Sequence, residues 1–176
     1  MNPPSTQTAS NTGDPSQLLY IEDMQEGDVW LSEPREISAD DVADFAMLTG
    51  DHDPLHAGDN DDSPFGEPVA HGLLGLSVMA GLSSERPNTA TLALVSVDGW
   101  EFLAPIFFGD QIHVRTVLET KQPHGRRAAK VTWFRQLINQ TGRVVQQGRL
   151  TTLVATRKRT PPAPKSNRVI SPGKAK

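Results

Sequence analysis

The stretch at 71–84, HGLLGLSVMAGLSS, constrains the fold more than any other part of this chain. It is apolar nearly all round, so as a helix it must be buried on most of its sides. Gly72, Gly75 and Gly81 each weaken that helix, and the spacing predicts another backbone packed close against them. From Thr89 onward the pattern changes to strands. Residues 92–97 are β-rich, and 100–103 follow the pair Asp98-Gly99, a turn or bulge signal. Ile112, Val114, Thr116 and Leu118 alternate with polar residues, as do Val131 and Trp133, although Phe134 interrupts. Residues 122–127 and 139–142 are turn-like, and 144–156 reads as the last strand. A buried helix followed by four or five long strands joined by hairpins predicts an α+β fold, with an antiparallel sheet laid against one helix. One helix leaves the other face and the edges of such a sheet uncovered. A dimer that continues the sheet would cover both.

Before the buried helix the sequence predicts another at 38–49. Ser38 can cap it, Asp41 stands where a capping-box acid belongs, and Gly50 is a stop signal. Val42, Phe45, Ala46 and Leu48 give it an apolar face. Residues 1–17 have neither the positive start nor the apolar stretch of a signal peptide and read as a disordered arm. Residues 158–176 read as a basic, Pro-containing disordered tail, leaving 18–157 as the folded domain. No apolar stretch is long enough to span a bilayer.

The chain carries 17 Lys+Arg against 21 Asp+Glu, a net charge of −4, but seven of the basic residues fall in the last 20 positions, where there is no acid. The absence of cysteine excludes a disulfide scaffold, a thiolate zinc site and a thiol nucleophile. The basic tail could neutralise phosphates, but it has no aromatic residue to stack on bases, and the body is acidic. Nucleic acid and membrane are therefore not the expected partners.

The chemistry concentrates at 49–56, TGDHDPLH, which packs two His and two Asp into six residues. Pro54 prevents a continuous helix, so His52 and His56 do not share a helix face. Asp51 and His56 can instead converge across the bend. A carboxylate and an imidazole that share one water can add or remove water, one taking a proton while the other supplies it. On local spacing alone a solvated charged turn is the favoured reading, because Asp and His are common turn residues. Asp51, Asp53 and His56 could also ligate a cation, but no metal-ligand spacing supports this, and the run at 59–63 fails as a calcium loop because Pro64 and Ala70 replace its glycine and glutamate. At Gly72, which opens the buried helix, backbone N–H groups lack internal partners, and no side chain shields them from a carbonyl oxygen. Gly72 and Gly75 could also serve only close packing.

These residues together resemble the MaoC-like dehydratases, which include the (R)-specific enoyl-CoA hydratases. The matching pieces are Gly50-Asp51-x-Asp53-Pro54-Leu55-His56, then Phe65-Gly66-x-Pro68-Val69-Ala70-His71-Gly72-Leu73-Leu74, then Phe102-x-x-Pro105-x-x-x-Gly109-Asp110. The resemblance covers roughly 20–155. It implies a hot-dog fold, in which a curved antiparallel sheet wraps a long central helix, paired into a homodimer or higher even oligomer. It implies a cytoplasmic lyase of fatty acid metabolism that adds or removes water across the Cα–Cβ bond of an enoyl- or 3-hydroxyacyl-CoA thioester. The implied catalytic pair is Asp51 and His56, with the Gly72 N–H on the thioester carbonyl, and with Asp53, Pro54, Phe65 and His71 at the substrate. No metal or other cofactor is implied.

The sequence departs from the family at three points. Asp53 replaces the usual Asn, which would raise a neighbouring carboxylate pKa unless its side chain turns away. The stretch from His56 to Phe65 is about two residues short, and Ala80 falls where some hydratases have Ser. A hot-dog thioesterase and a non-catalytic acyl-thioester-binding subunit are the alternatives. The basic turn His124-Gly125-Arg126-Arg127 with Lys130 is a weaker candidate for the phosphates of CoA.

Overall fold

The computed structural model describes residues 17–57 and 63–157. Nearly all of the expected arm, the acidic run at 59–62 and the tail at 158–176 lie outside the described residues.

Two short strands, β1 (Val29–Leu31) and β2 (Arg35–Glu36), precede helix α1 (Ala39–Thr49). Its capping box forms as the sequence predicts. The Ser38 hydroxyl accepts from the Asp41 N–H at 3.1 Å, and the Asp41 carboxylate accepts from the Ser38 N–H at 3.0 Å. At the other end Gly50 is left-handed (φ 76°) and donates its N–H to the Ala46 carbonyl, closing the helix. Helix α2 spans Gly72–Glu85, and four long strands follow: β3 (Thr91–Phe102), β4 (Gln111–His124), β5 (Ala128–Asn139) and β6 (Val144–Ala155).

The strand order is β1-β4-β5-β6-β3, with β2 also paired to β4 and every pair antiparallel. Only β4–β5 and β5–β6 are hairpins. β3 pairs with β6 at the far edge, so the connection from β3 to β4 crosses the sheet instead of turning back. The Asp98-Gly99 signal marks a bulge within β3, not a break between two strands. The register shifts between Asp98 and Glu101, and a Cβ on the facing Gly148 would lie 2.6 Å from the Trp100 ring.

Alternation along the strands points one face inward in two clusters. Leu74, Val78 and Met79 of α2 meet Ile112, Val114, Leu137, Val145 and Leu150 of the sheet. Beyond them Met24, Trp30, Leu118, Val131, Trp133 and Val154 form a second cluster, with Trp30 and Trp133 edge to face at 6.0 Å. Each such side chain, fully buried, stabilises the fold by roughly 1.5–3 kcal/mol.

Within one chain α2 is buried on only one side. Leu74, Gly75, Val78, Met79 and Ser83 face the sheet, while Leu73 is 59% exposed and Ser77, Ala80, Gly81 and Ser84 are open. Side chains, not a backbone, crowd its glycines. Gly72 faces the Phe102 ring and Gly75 faces Gln146 and Ile106, while a Cβ on Gly81 would meet nothing within 4 Å.

Candidate active site

The loop leaving α1 is bent by its own side chains. The Asp51 carboxylate accepts from the Asp53 N–H (3.3 Å), and the Asp53 carboxylate caps the Leu55 N–H (2.9 Å). Pro54 then opens a single 3-10 turn, Pro54–His56, for which its fixed φ suits it. The chain therefore doubles back, which brings Asp51 and His56 together. Asp53 turns away from the site into its capping bond, a role in which Asp and Asn are equivalent.

A second segment closes on this loop. The Val69 N–H donates to the Leu55 carbonyl at 3.2 Å, and the Ala70 N–H to the Ile106 carbonyl at 2.8 Å. The Val69 carbonyl lies 2.7 Å from His56 Nδ1. A carbonyl can only accept, so Nδ1 carries the hydrogen and Nε2 of the neutral ring presents its lone pair. His71, 2% exposed, stacks on His56 with ring centroids 3.7 Å apart and planes 28° from parallel. Its Nε2 donates to the Asp51 carbonyl at 3.0 Å, so it supports the loop from beneath. Its Nδ1 has no partner among the described residues.

One donor atom each from Asp51, His56 and His71 lies within 4.8 Å of the others. That span suits one water touching both Asp51 and His56, since two hydrogen bonds of about 2.8 Å reach across it. A cation would find the set less suitable. Stacked rings keep their in-plane lone pairs in nearly parallel planes, a poor start for convergent ligation.

A cavity of about 330 Å³ opens beside the pair, with Leu55, His56, Phe65, Gly72, Phe102 and Pro105 among its walls. Gly72 is the first residue of α2, and its N-cap His71 makes no side-chain capping bond. The first-turn N–H groups have no partner within the helix and can meet an acceptor in the cavity. A Cβ at position 72 would stand 3.0 Å from the Phe102 ring, so glycine keeps this wall open.

The structure thus brings together Asp51, His56, Gly72 and Phe65, with His71 beneath them. Of these, His56, Gly72 and Phe65 line the cavity, whereas Asp51 and His71 stand behind His56 and do not; Asp53 and Pro54 shape the loop and do not line the cavity, and neither does Ala80. The Gly109-Asp110 motif is structural. Asp110 is buried, and its carboxylate accepts from the Phe107 N–H at 2.9 Å and from Gln140 Nε2 at 2.6 Å. The basic turn lies far from the site within one protomer. It joins the end of the sheet where Ala128 pairs with Ala155, nine residues along β6 from the cavity residue Gln146, or about 30 Å. Gln146 itself escaped the sequence reading. The available signal was its place in the inward phase of Gly148, Leu150 and Val154.

Residues 23–139 match the MaoC-like domain. The chain belongs to the MaoC-like family. This MaoC-like chain is 33% identical over 116 residues to the 3-hydroxybutyryl-CoA dehydratase of Methylorubrum extorquens, a match covering 64% of the chain and 71% of that protein. It is also 33% identical over 115 residues to Protein MaoC of Klebsiella aerogenes, covering 62% of the chain but only a third (33%) of that longer protein. Among solved structures, the MaoC-like dehydratase from Rhodospirillum rubrum superposes with a TM-score of 0.65 at 26% identity, covering 79% of this chain and 98% of that one. The (R)-hydratase from A. caviae, at 22% identity and a TM-score of 0.63, covers 73% of this chain and 96% of that one and shows the shared fold. The hot-dog architecture expected from the sequence is therefore the one observed. Among the described residues no helix is long and apolar enough to cross a membrane.

Proposed function

We propose that this MaoC-like domain is a hydro-lyase acting on enoyl- and 3-hydroxyacyl-CoA thioesters. The observation that carries the reading is the approach of Asp51 to within 4.8 Å of His56, which lines a cavity together with Gly72. A thioester carbonyl seated against the Gly72 N–H becomes polarised, and Cβ of the enoyl group becomes electrophilic. Water held between Asp51 and His56 loses a proton to the free His56 Nε2 as its oxygen bonds to Cβ. The π electrons move through Cα to the carbonyl oxygen, giving an enolate at the Gly72 N–H. The acid/base pair then returns the proton to Cα. Dehydration is the reverse. The chemistry needs no metal or redox cofactor. The kinship with a protein named 3-hydroxybutyryl-CoA dehydratase supports a short acyl group as the first substrate to try.

The test follows loss of the conjugated thioester absorbance across a panel of enoyl-CoA substrates. Turnover should fall by about 10²-fold or more in Asp51→Asn and His56→Ala. Turnover unchanged in both variants would remove these two residues from the chemistry, and release of free CoA thiol in its place would point to hydrolysis.

We also infer a second copy against the β3 edge, as a homodimer or higher even oligomer. Leu92, Leu94, Val95 and Val97 are 60%, 60%, 47% and 40% exposed along this strand, and the open flank of α2 presents Leu73 with the small residues Ser77, Ala80, Gly81 and Ser84. An edge strand this long and apolar calls for a partner.

A further inference from the structure

Gln146 sits on the inward side of β6, in phase with Gly148, Leu150, Thr152 and Val154. It is 1% exposed, yet it is polar and forms part of the cavity wall. Both ends of its amide are used. The Trp100 Nε1–H donates to Gln146 Oε1 at 3.2 Å, and Gln146 Nε2 donates to the Gly72 carbonyl at 3.0 Å. Two glycines make room for this chain of bonds. A Cβ on Gly75 would fall 2.3 Å from Gln146 Nε2, and one on Gly148 would fall 2.6 Å from the Trp100 ring. Bonds from the Ala70 N–H to the Ile106 carbonyl and from His71 Nε2 to the Asp51 carbonyl hold the residues just before α2, but the first turn itself is weakly restrained. It holds Gly72 and Gly75, and no side chain caps it. Glycine gives a helix little conformational restraint.

We propose that Gln146 is a positioning residue that ties this turn to the sheet and so holds the Gly72 N–H at a set place relative to His56. The inference rests on the role proposed above for Gly72. A donor fixed before the reaction favours the developing enolate more than the ground-state carbonyl. The effect should therefore appear in kcat, not in KM.

Three variants separate positioning from packing. Gln146→Leu keeps the volume and removes both hydrogen bonds. It should lower kcat roughly tenfold with KM within about twofold. Gly75→Ala alone should lower the melting temperature, because its Cβ would stand 2.3 Å from Gln146 Nε2 and 2.8 Å from Ile106 Cδ1. Combining Gly75→Ala with Gln146→Ala should restore part of the melting temperature, since the new methyl then meets only the movable tip of Ile106, while kcat stays low. Recovery of kcat together with melting temperature would overturn the proposal, as would wild-type kcat in Gln146→Leu. Amide hydrogen exchange gives a readout independent of turnover. Gly75 and Leu76 should exchange faster in Gln146→Leu than in the wild type, and unchanged protection would also overturn the proposal. If the wild type turns over no enoyl thioester, the lyase reading fails, while exchange still decides whether Gln146 holds the turn.

Discussion

One backbone carbonyl, that of Val69, sets which nitrogen of the neutral His56 ring keeps its lone pair, and one buried cation, Arg135, burdens the core. Arg135 faces inward between the two hydrophobic clusters, 8% exposed, with the Trp133 ring 5.9 Å from its guanidinium carbon and Met79 Sδ 3.8 Å from Nη1. Among the described residues neither its Nε nor the buried Thr116 Oγ1 beside it in register has a partner. Burial lowers the guanidinium pKa to about 10. A base whose folded pKa lies below its unfolded value destabilises the fold fully below the folded value, with relief only as pH rises through the folded value toward the unfolded one. The shift corresponds to about 3 kcal/mol. Arg135→Met should accordingly raise the denaturation midpoint, by about 1–3 kcal/mol in free energy. A lower midpoint in urea would show that an anion compensates the charge. This position was illegible in the sequence, because a charged residue in a strand reads as a solvated one. Gln146 was hidden for the same reason. Asp51 and His56 were legible because Pro54 dictates the bend that joins them.

Helix α1 was read correctly at both ends, since its boundaries are local. Ser38, Asp41 and Gly50 act on the backbone within one turn of themselves. Burial raises the Asp41 pKa, but hydrogen bonds from the Ser38 backbone and hydroxyl and the charge of Arg35 outweigh it, and the net shift is downward. A carboxyl with a lowered folded pKa contributes stability above its unfolded value, and this is lost as pH falls through the folded one. Ser38→Ala should cost about 1 kcal/mol, and the difference from wild type in urea denaturation should shrink as the solution is acidified below pH 4. Strand β3 was less legible. Asp98-Gly99 is a true local signal, but whether such a pair ends a strand or bulges within it depends on what lies opposite. Here that is Gly148, 49 positions further along the chain. Helix α2 was recognised as buried from its composition, yet composition does not say whether the same chain does the burying.

At the scale of the molecule, element order made the α+β class legible, and pairing order remained out of reach. Nothing local tells β3 to cross to β6 instead of turning back onto β4; the choice lies in contacts made far apart in sequence. That topology leaves β3 at the edge, with its apolar side chains outward. If a second copy covers it, thermal stability depends on concentration, and the melting temperature should fall on dilution. A melting temperature constant over a hundredfold dilution, with a monomeric mass by sedimentation, would refute the pairing.

The same edge has a consequence during synthesis and refolding. Each newly folded chain presents a row of unpaired backbone groups flanked by Leu92, Leu94 and Val95, a template that accepts any extended segment. Correct pairing must therefore outrun strand addition by unfolded neighbours. Refolding yield should pass through an optimum in protein concentration, and a lysine at an outward β3 position would trade assembly for resistance to aggregation.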